Sequence, residues 1–321
     1  MPYKVIITDY YYPNLNEERK VFANTGIEIV DCNGQCKSED DVIAHTKDAD
    51  AIICQFVPIR RRVIENLNKC KVIVRYAIGM DNIDINAATE KKIMVANIPD
   101  YCIEEVANQA LALMMAILKK VTVMDREVRK GVWSYKKAEP LYRLSSMNLG
   151  LIAFGRIARN FAKKAEALGF KKIYVFDPYF TDRSAYPNYE FVSLETLLAD
   201  SDVVSIHAPA TEDTKHLINR ETLKLMKEGS YLINTSRGAL INEKDIIDAL
   251  KEGKLAGVGL DVLENEQISS EHPLLQFDNV VITPHMGWYS VDSILELQRK
   301  VAEQVKQALL EGEPRYWINR F

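Results

Sequence analysis

Residues 148–170 read NLGLIAFGRIARNFAKKAEALGF: an apolar strand-like run, a tight turn, then a helical pattern. The glycine fingerprint of a dinucleotide-binding βαβ unit, G-x-G-x-x-G, aligns here as Ala153-Phe-Gly155-Arg-Ile-Ala158. Only the central position is glycine, and that is the one that lets a pyrophosphate approach the backbone. Alanine is ordinary at the third position and a departure at the first. There it lacks glycine's freedom at positive φ, so the turn must fit a conventional backbone or accept strain. Strain predicts weaker dinucleotide binding than a full glycine turn gives, and tighter binding on Ala153→Gly. Alone the fingerprint is weak, but its context strengthens it. The next apolar run, KIYVFDP, ends in Asp177, about twenty residues past the turn, where a carboxylate binds ribose hydroxyls and repels a 2′-phosphate. NAD is therefore expected over NADP, with Gly155, Arg156, Ile157 and the helix amides behind them receiving the pyrophosphate. The competing reading, that Asp177-Pro178 merely turns the chain, leaves this spacing unexplained.

The same alternation extends in both directions. KVIITDY, GIEIVDC, DADAIIC, KVIVRYA and KIMVANI precede the unit, and KIYVFDP, DVVSIHAP, SYLINTS, AGVGLDV and NVVITPH follow it. Short β-branched runs between helical patterns imply right-handed βαβ units and parallel sheets. The fold class is therefore α/β, with two Rossmann-like or flavodoxin-like parallel-sheet domains. The first hundred residues make one, and the series from Asn148 makes the other, complete at six strands. Between them a helical pattern runs from Ile103 to about Arg129, with Glu104 and Glu105 in its first turn and Leu111, Met114, Met115 and Leu118 at helical spacing. Its apolar content exceeds one stripe, which marks it as an interdomain and dimer helix. A last helix, from about Ser290 to Gly312, either finishes the second domain or returns to the first. Six strands already complete the second, so the return is expected.

Three of the later runs lead through a turn to a charged or titratable side chain. SYLINTSRG reaches Arg237, AGVGLDVLENE reaches Glu266 and NVVITPHMGW reaches His285. Carboxyl ends of parallel strands line one crevice, where residues distant in sequence converge. His exchanges a proton near neutral pH, Glu favours the charged imidazole, and Arg grips a carboxylate with a planar fork. Singly, each has a plainer reading: a surface ion pair, a solvated acid, a turn cap. Jointly they suit redox chemistry at a carbinol beside a carboxylate.

The 321 residues suffice for two domains with separate cores. Hydrophobic residues at 47% and charged residues at 27% exclude a disordered chain. A net charge of −4 and a pI near 5.9 argue against broad nucleic-acid binding, which leaves small molecules or protein as partners. MPYKVIITDY lacks a charged leader followed by an apolar core, and the longest apolar stretch, near Ala110 to Leu118, is too short for a bilayer. A cytoplasmic protein without membrane contact is expected. Five cysteines, Cys32, Cys36, Cys54, Cys70 and Cys102, include one CxxxC with no second Cys or His pair after it, so reduced thiols and no metal are expected.

With these residues placed, the chain resembles the D-2-hydroxyacid dehydrogenase family over essentially its whole length. The resemblance rests on RYAIGMDNID (Arg75 to Asp84), NIPDYCIEEVAN (Asn97 to Asn108), the turn at Gly155 with Asp177, NTSRGALIN (Asn234 to Asn242), LDVLENE (Leu260 to Glu266) and TPHMGWYS (Thr283 to Ser290). PDYC and GWYS look most like the branch containing the C-terminal-binding-protein corepressors and related bacterial dehydrogenases. The resemblance implies a 2-oxo acid to (R)-2-hydroxy acid oxidoreductase using NAD. Residues 1–101 and 289–321 would form a discontinuous substrate-binding domain and 102–288 the NAD-binding domain, with the active site in the cleft between them. The Ile103 helix and an arm around Gly131 to Met147 would form a homodimer contact.

Site roles carry over position by position. Arg237 would hold the substrate carboxylate and polarise the carbonyl, and Glu266, the second acid of E-x-E, would pair with the proton donor His285. Asp261 would face the nicotinamide carboxamide, and Thr235, Ser236, His285 and Gly287 would border the nicotinamide. Backbone amides of Ala77, Ile78 and Gly79 would take the other end of the substrate carboxylate. Three positions depart from the family pattern: Ala77 replaces a usual glycine, Tyr76 is bulky and either narrows the pocket or lends it a hydroxyl, and Gln267 stands where proline is frequent. Glyoxylate, hydroxypyruvate, phosphohydroxypyruvate and branched 2-oxo acids all fit a carboxylate-plus-carbonyl site. Formate-oxidising relatives pair glutamine with the histidine, and Glu266 sets that reading aside. A dinucleotide-sensing protein of the corepressor kind, with little turnover, is the alternative.

Overall fold

Apart from GIEIVDC, which forms a partly exposed edge strand, the β-branched runs of the first hundred residues become strands largely buried on both faces, as parallel strands flanked by helices are. A computed structural model describes residues 2–32 and 36–321. In it β1 (Tyr3–Ile7), β2 (Ile27–Asp31), β3 (Ala51–Cys54), β4 (Val72–Arg75) and β5 (Met94–Ala96) form one parallel sheet in the order β2-β1-β3-β4-β5. The connecting helices are α1 (Asn16–Phe22), α2 (Glu39–Thr46), α3 (Arg61–Glu65) and α4 (Ile85–Glu90). Ser38 and Asp41 cap α2 reciprocally, and the Asp84 carboxylate accepts from Ala87 N–H to start α4.

The long helical pattern is two helices, α5 (Ile103–Leu118) and α6 (Val121–Arg129), bent by 59° at a break where Lys120 adopts φ +50°. Ala107, Ala110, Leu113, Met114, Ile117 and Leu118 are buried against their own unit, so most of the apolar surplus of α5 is used internally. The exposed apolar surface lies instead on the arm that follows α6: Trp133 is 89% and Tyr135 73% accessible, with Leu141 and Tyr142 also exposed. Among the described residues no single helix is long and apolar enough to cross a membrane.

The second series forms β6 (Asn148–Ile152), α7 (Arg156–Ala167), β7 (Lys172–Phe176), β8 (Glu190–Phe191), α8 (Leu194–Asp200), β9 (Val203–Ile206), α9 (Arg220–Leu225), β10 (Ser230–Asn234), α10 (Glu243–Lys251), β11 (Leu255–Leu260) and β12 (Val280–Ile282). Its sheet is parallel, in the order β12-β11-β10-β9-β6-β7-β8. The expected count of six strands omits β8, a two-residue edge strand too short to show a periodic pattern. The order reverses between β6 and β9, and at such a switch point a doubly wound sheet opens a crevice beyond its strand ends. The closing helix, α11 (Val291–Leu310), is capped by Ser290 and packs on α1 and β4. Two compact units result, Met1–Cys102 with Tyr289–Phe321, and Ile103–Trp288.

Candidate active site

The turn after β6 resolves the question that Ala153 raises: its φ is +69°, so the chain accepts a left-handed alanine. Behind it Gly155 leaves open space where a side chain would stand, and the first turn of α7 has no side-chain cap. Uncapped amides at the start of a twelve-residue helix suit a phosphate group. Phe154, fully buried between these two residues, anchors the turn by edge-on contacts with Phe180, Tyr186, Tyr189 and Phe191.

Asp177 is tied to this turn. Its Oδ2 accepts from Phe154 N–H at 2.8 Å, and its Oδ1 accepts from Tyr179 and Phe180 N–H at 2.9 and 3.1 Å. The turn-forming and ribose-binding readings thus meet in one side chain, since each oxygen retains acceptor capacity. Thr235 is buried after β10 with its hydroxyl unpartnered, as is Nδ1 of His207 after β9. Such atoms in a strand-end crevice fit a dinucleotide, whose polar groups would supply the missing partners. Burial pulls the His207 imidazole down to about 4, so this ring is neutral at physiological pH. A cavity of about 600 Å³ opens beside α7, lined among others by Arg156, Arg159, Lys163 and Tyr186. Arg237, Glu266 and His285 are not part of its lining.

Of the three residues expected to converge, Glu266 and His285 meet directly. Both carboxylate oxygens of Glu266 face His285 Nδ1, at 2.8 and 3.0 Å. Nδ1 therefore carries the proton of that bond, and Nε2 is the nitrogen that can exchange one with a substrate. His285 itself sits at φ +49°, and its N–H donates to the carbonyls of Asp261 and Thr283. Asp261, expected at the nicotinamide carboxamide, is buried and braces this turn. Its Oδ1 accepts from Thr283 Oγ1 and Met286 N–H, and its Oδ2 accepts from Gly287 N–H at 2.7 Å. A Cβ on Gly287 would fall 2.8 Å from that oxygen, so the brace requires glycine. Gln109 of α5 donates to Thr283 Oγ1 and completes the support. Arg237 is half-buried with Nη1 on the Ser236 carbonyl, while Ser236 Oγ donates to Ile206 O.

In the other unit, the carbonyls of Ala77, Ile78 and Gly79 accept from Ile98 N–H, the Asn97 side chain and Arg75. Their N–H groups have no acceptor among the described residues. Tyr76 differs from expectation: it is buried, and its hydroxyl donates to Glu18 Oε1 at 2.6 Å, so it lends no hydroxyl to a pocket. All five cysteines are free, and Cys32, Cys36 and His45 bring their ligand atoms within 4.8 Å of one another. His45 Nδ1 is already bonded to the Asp41 carbonyl at 2.7 Å. Sequence reasoning passed over Gln109, His207 and this His45, because a lone polar residue on a helix or strand end carries no spacing signal.

The family model for the D-isomer-specific 2-hydroxyacid dehydrogenase NAD-binding domain matches residues 111–287. The chain is 38% identical over 272 residues to the glyoxylate reductase of Korarchaeum cryptofilum, covering 84% of this chain and 82% of that one. The chain belongs to the D-isomer-specific 2-hydroxyacid dehydrogenase family. This dehydrogenase is also 34% identical to the hydroxypyruvate reductase of Blautia hydrogenotrophica, over 99% of its own length and all of the relative's. The crystal structure of D-lactate dehydrogenase from Aquifex aeolicus, complexed with NAD and lactic acid, matches it with a TM-score of 0.86 at 25% identity, covering 98% and 99% of the two chains. It is an NAD-dependent oxidoreductase that interconverts a 2-oxo acid and the (R)-2-hydroxy acid by hydride transfer.

Proposed function

We propose that the enzyme reduces a small, unbranched 2-oxo acid of the glyoxylate or hydroxypyruvate kind, with NADH as the preferred reductant. When bound, the nicotinamide supplies the hydride to the carbonyl carbon. His285 Nε2 gives its proton to the developing alkoxide, and Glu266 steadies the resulting change in charge at Nδ1. Arg237 grips the substrate carboxylate and polarises the carbonyl beside it. The bidentate contact of Glu266 with His285 Nδ1 carries this reading, since it fixes both the tautomer and the donating nitrogen. The substrate class is supported by the glyoxylate and hydroxypyruvate reductases among its relatives. A homodimer through the arm is part of the same reading, supported by the exposed Trp133, Tyr135 and Tyr142.

The test is NADH oxidation with glyoxylate, hydroxypyruvate, phosphohydroxypyruvate and a branched 2-oxo acid. The expected result is a higher kcat/KM for the two small acids than for the branched one. NADH binding without turnover on any of the four overturns the proposal.

A further inference from the structure

Glu264, the first acid of LENE, takes no part in the chemistry above, yet its backbone and its carboxylate are both engaged. Its N–H donates to Glu243 Oε1 at 2.5 Å, and Glu243 N–H donates back to Glu264 Oε2 at 3.1 Å. Glu243 opens α10, so the Glu264 carboxylate lies at a helix N-terminus, where partial positive charge favours it. Two carboxylates this close repel one another, and two imidazoles flank them. His216 Nε2 meets Glu264 Oε1 at 2.5 Å, and His272 Nε2 lies 3.4 Å from Glu243 Oε2. His272 Nδ1 accepts from Leu274 N–H, so Nε2 is its protonated nitrogen, the one facing Glu243. His216 is fixed in turn, donating its N–H to Ala239 O and accepting on its carbonyl from Asn219 Nδ2.

The same peptide presses on the segment that carries Arg237. A Cβ on Gly238 would fall 1.9 Å from Leu263 O and 2.4 Å from Glu264 N, so these two backbones touch with no room for a side chain. The loop from Glu264 to His272 is thus pinned at its start on α10 and on Gly238, and at its end on Glu243. Glu266 stands two residues beyond the first pin.

We propose that Glu264 is a positioning residue: clamped by Glu243 and His216, it sets where Glu266 stands relative to His285 Nδ1. This rests on the pairing of Glu266 with His285 proposed above. An acid that only stabilised the fold would alter melting and expression but not single out the chemical step.

The experiment is a double-mutant cycle of Glu264→Ala and Glu266→Gln, with Glu264→Gln and His216→Gln alongside, assayed with NADH and glyoxylate. Glu264→Ala is expected to lower kcat about 10- to 100-fold, the scale of a small misplacement of a catalytic group. The KM for glyoxylate and the Kd for NADH should stay within about threefold, because binding groups are untouched. Glu264→Gln, which keeps an oxygen for Glu243 N–H, should recover part of the rate. The double variant should be no slower than Glu266→Gln alone, since a residue acting through another falls silent when that other is gone. If Glu266→Gln lowers kcat while Glu264→Ala leaves it within about twofold, or if the two losses simply add, the clamp is wrong and the pairing survives. If Glu266→Gln itself changes nothing, the pairing is wrong and the clamp falls with it. Should Glu264→Ala fail to fold, His216→Gln removes one arm of the clamp and is read by the same measures.

Discussion

At the carboxyl end of the first sheet, several polar side chains close on one another and the amides of Ala77, Ile78 and Gly79 stay open, whereas at that of the second several side chains are held firmly yet keep an atom unspent. After β1, Asp9 takes the N–H groups of Gln55, Phe56 and Val57, and at the end of β4 the side chains of Arg75 and Tyr76 are engaged with Gln55 O and Glu18. After β9 and β10, by contrast, His207 Nδ1 and Thr235 Oγ1 are buried without partners, and His285 commits only Nδ1. A buried unpaired polar atom costs about 1–3 kcal/mol. A fold tolerates that where a ligand later supplies the partner, so one architecture leaves backbone amides open at the end of the first sheet and side-chain atoms open at the end of the second.

The sharpest way to break the contrast is at His285. His285→Ala should lower kcat for 2-oxo acid reduction by roughly 10²-fold or more, the range of general acid catalysis, with NADH binding little changed. Arg237→Lys should instead raise KM as well as lower kcat, because the charge survives and the planar fork does not. Steady-state kinetics of both variants check this, and equal patterns of loss would dissolve the division of labour between them.

Tyr76 tests the closed side chains. Burial pushes the Glu18 carboxyl up, while hydrogen bonds from Tyr76 and Gln298 hold it down. Tyr76→Phe removes one of those donors and should cost about 1–3 kcal/mol of stability at neutral pH. A carboxyl raised in the folded state loses stability as pH rises above its unfolded value near 4.5. Phenylalanine raises it further, so the deficit should shrink as pH falls toward that value and Glu18 becomes protonated. Denaturant melts at several pH values read the effect directly. A changed KM for the 2-oxo acid with unchanged stability would return the hydroxyl to the pocket.

Asp177 produces a smaller effect. Asp177→Asn keeps an oxygen for Phe154 N–H but removes the charge that repels a 2′-phosphate. The NADH to NADPH ratio of kcat/KM should fall roughly tenfold, equivalent to ~1.4 kcal/mol. Equal efficiency of the unmodified enzyme with the two reductants would remove the basis for that expectation.

What the sequence disclosed follows from how each feature is encoded. Parallel strands buried on both faces appear as apolar runs, and a polar residue just past such a run stands out as a candidate for the crevice, which is how Asp177, Arg237 and His285 are singled out. Glu266 stands out only together with them, because it lies within a long irregular loop, residues 261–272. The break at Lys120 left no mark, since lysine at φ +50° has no distinctive signature. The partners that Tyr76 and Asp261 take are not legible, because a strand-end polar residue looks alike in sequence whether it faces the crevice, a neighbouring loop or both. Their partners, Glu18 and Thr283, lie 58 and 22 residues away.

Ala153 turns the same contrast into its smallest and most exacting measurement. At φ +69° an alanine bears a left-handed penalty of about 1–2 kcal/mol, while glycine in its place adds about 0.4–1 kcal/mol of unfolded-state entropy. The penalty outweighs the entropy, so Ala153→Gly should raise folding stability by roughly 0.5–1 kcal/mol. The sequence pattern predicted tighter NAD binding from this change. The left-handed turn belongs to the folded chain itself, and strain common to free and bound enzyme cancels from the affinity. With the turn unchanged on binding, stability should therefore rise while the Kd for NADH stays within about twofold. Denaturant unfolding and fluorescence titration of NADH, on the same two proteins, separate the cases. A Kd tightened tenfold with no gain in stability would show that the cofactor, and not the fold, imposes the left-handed turn.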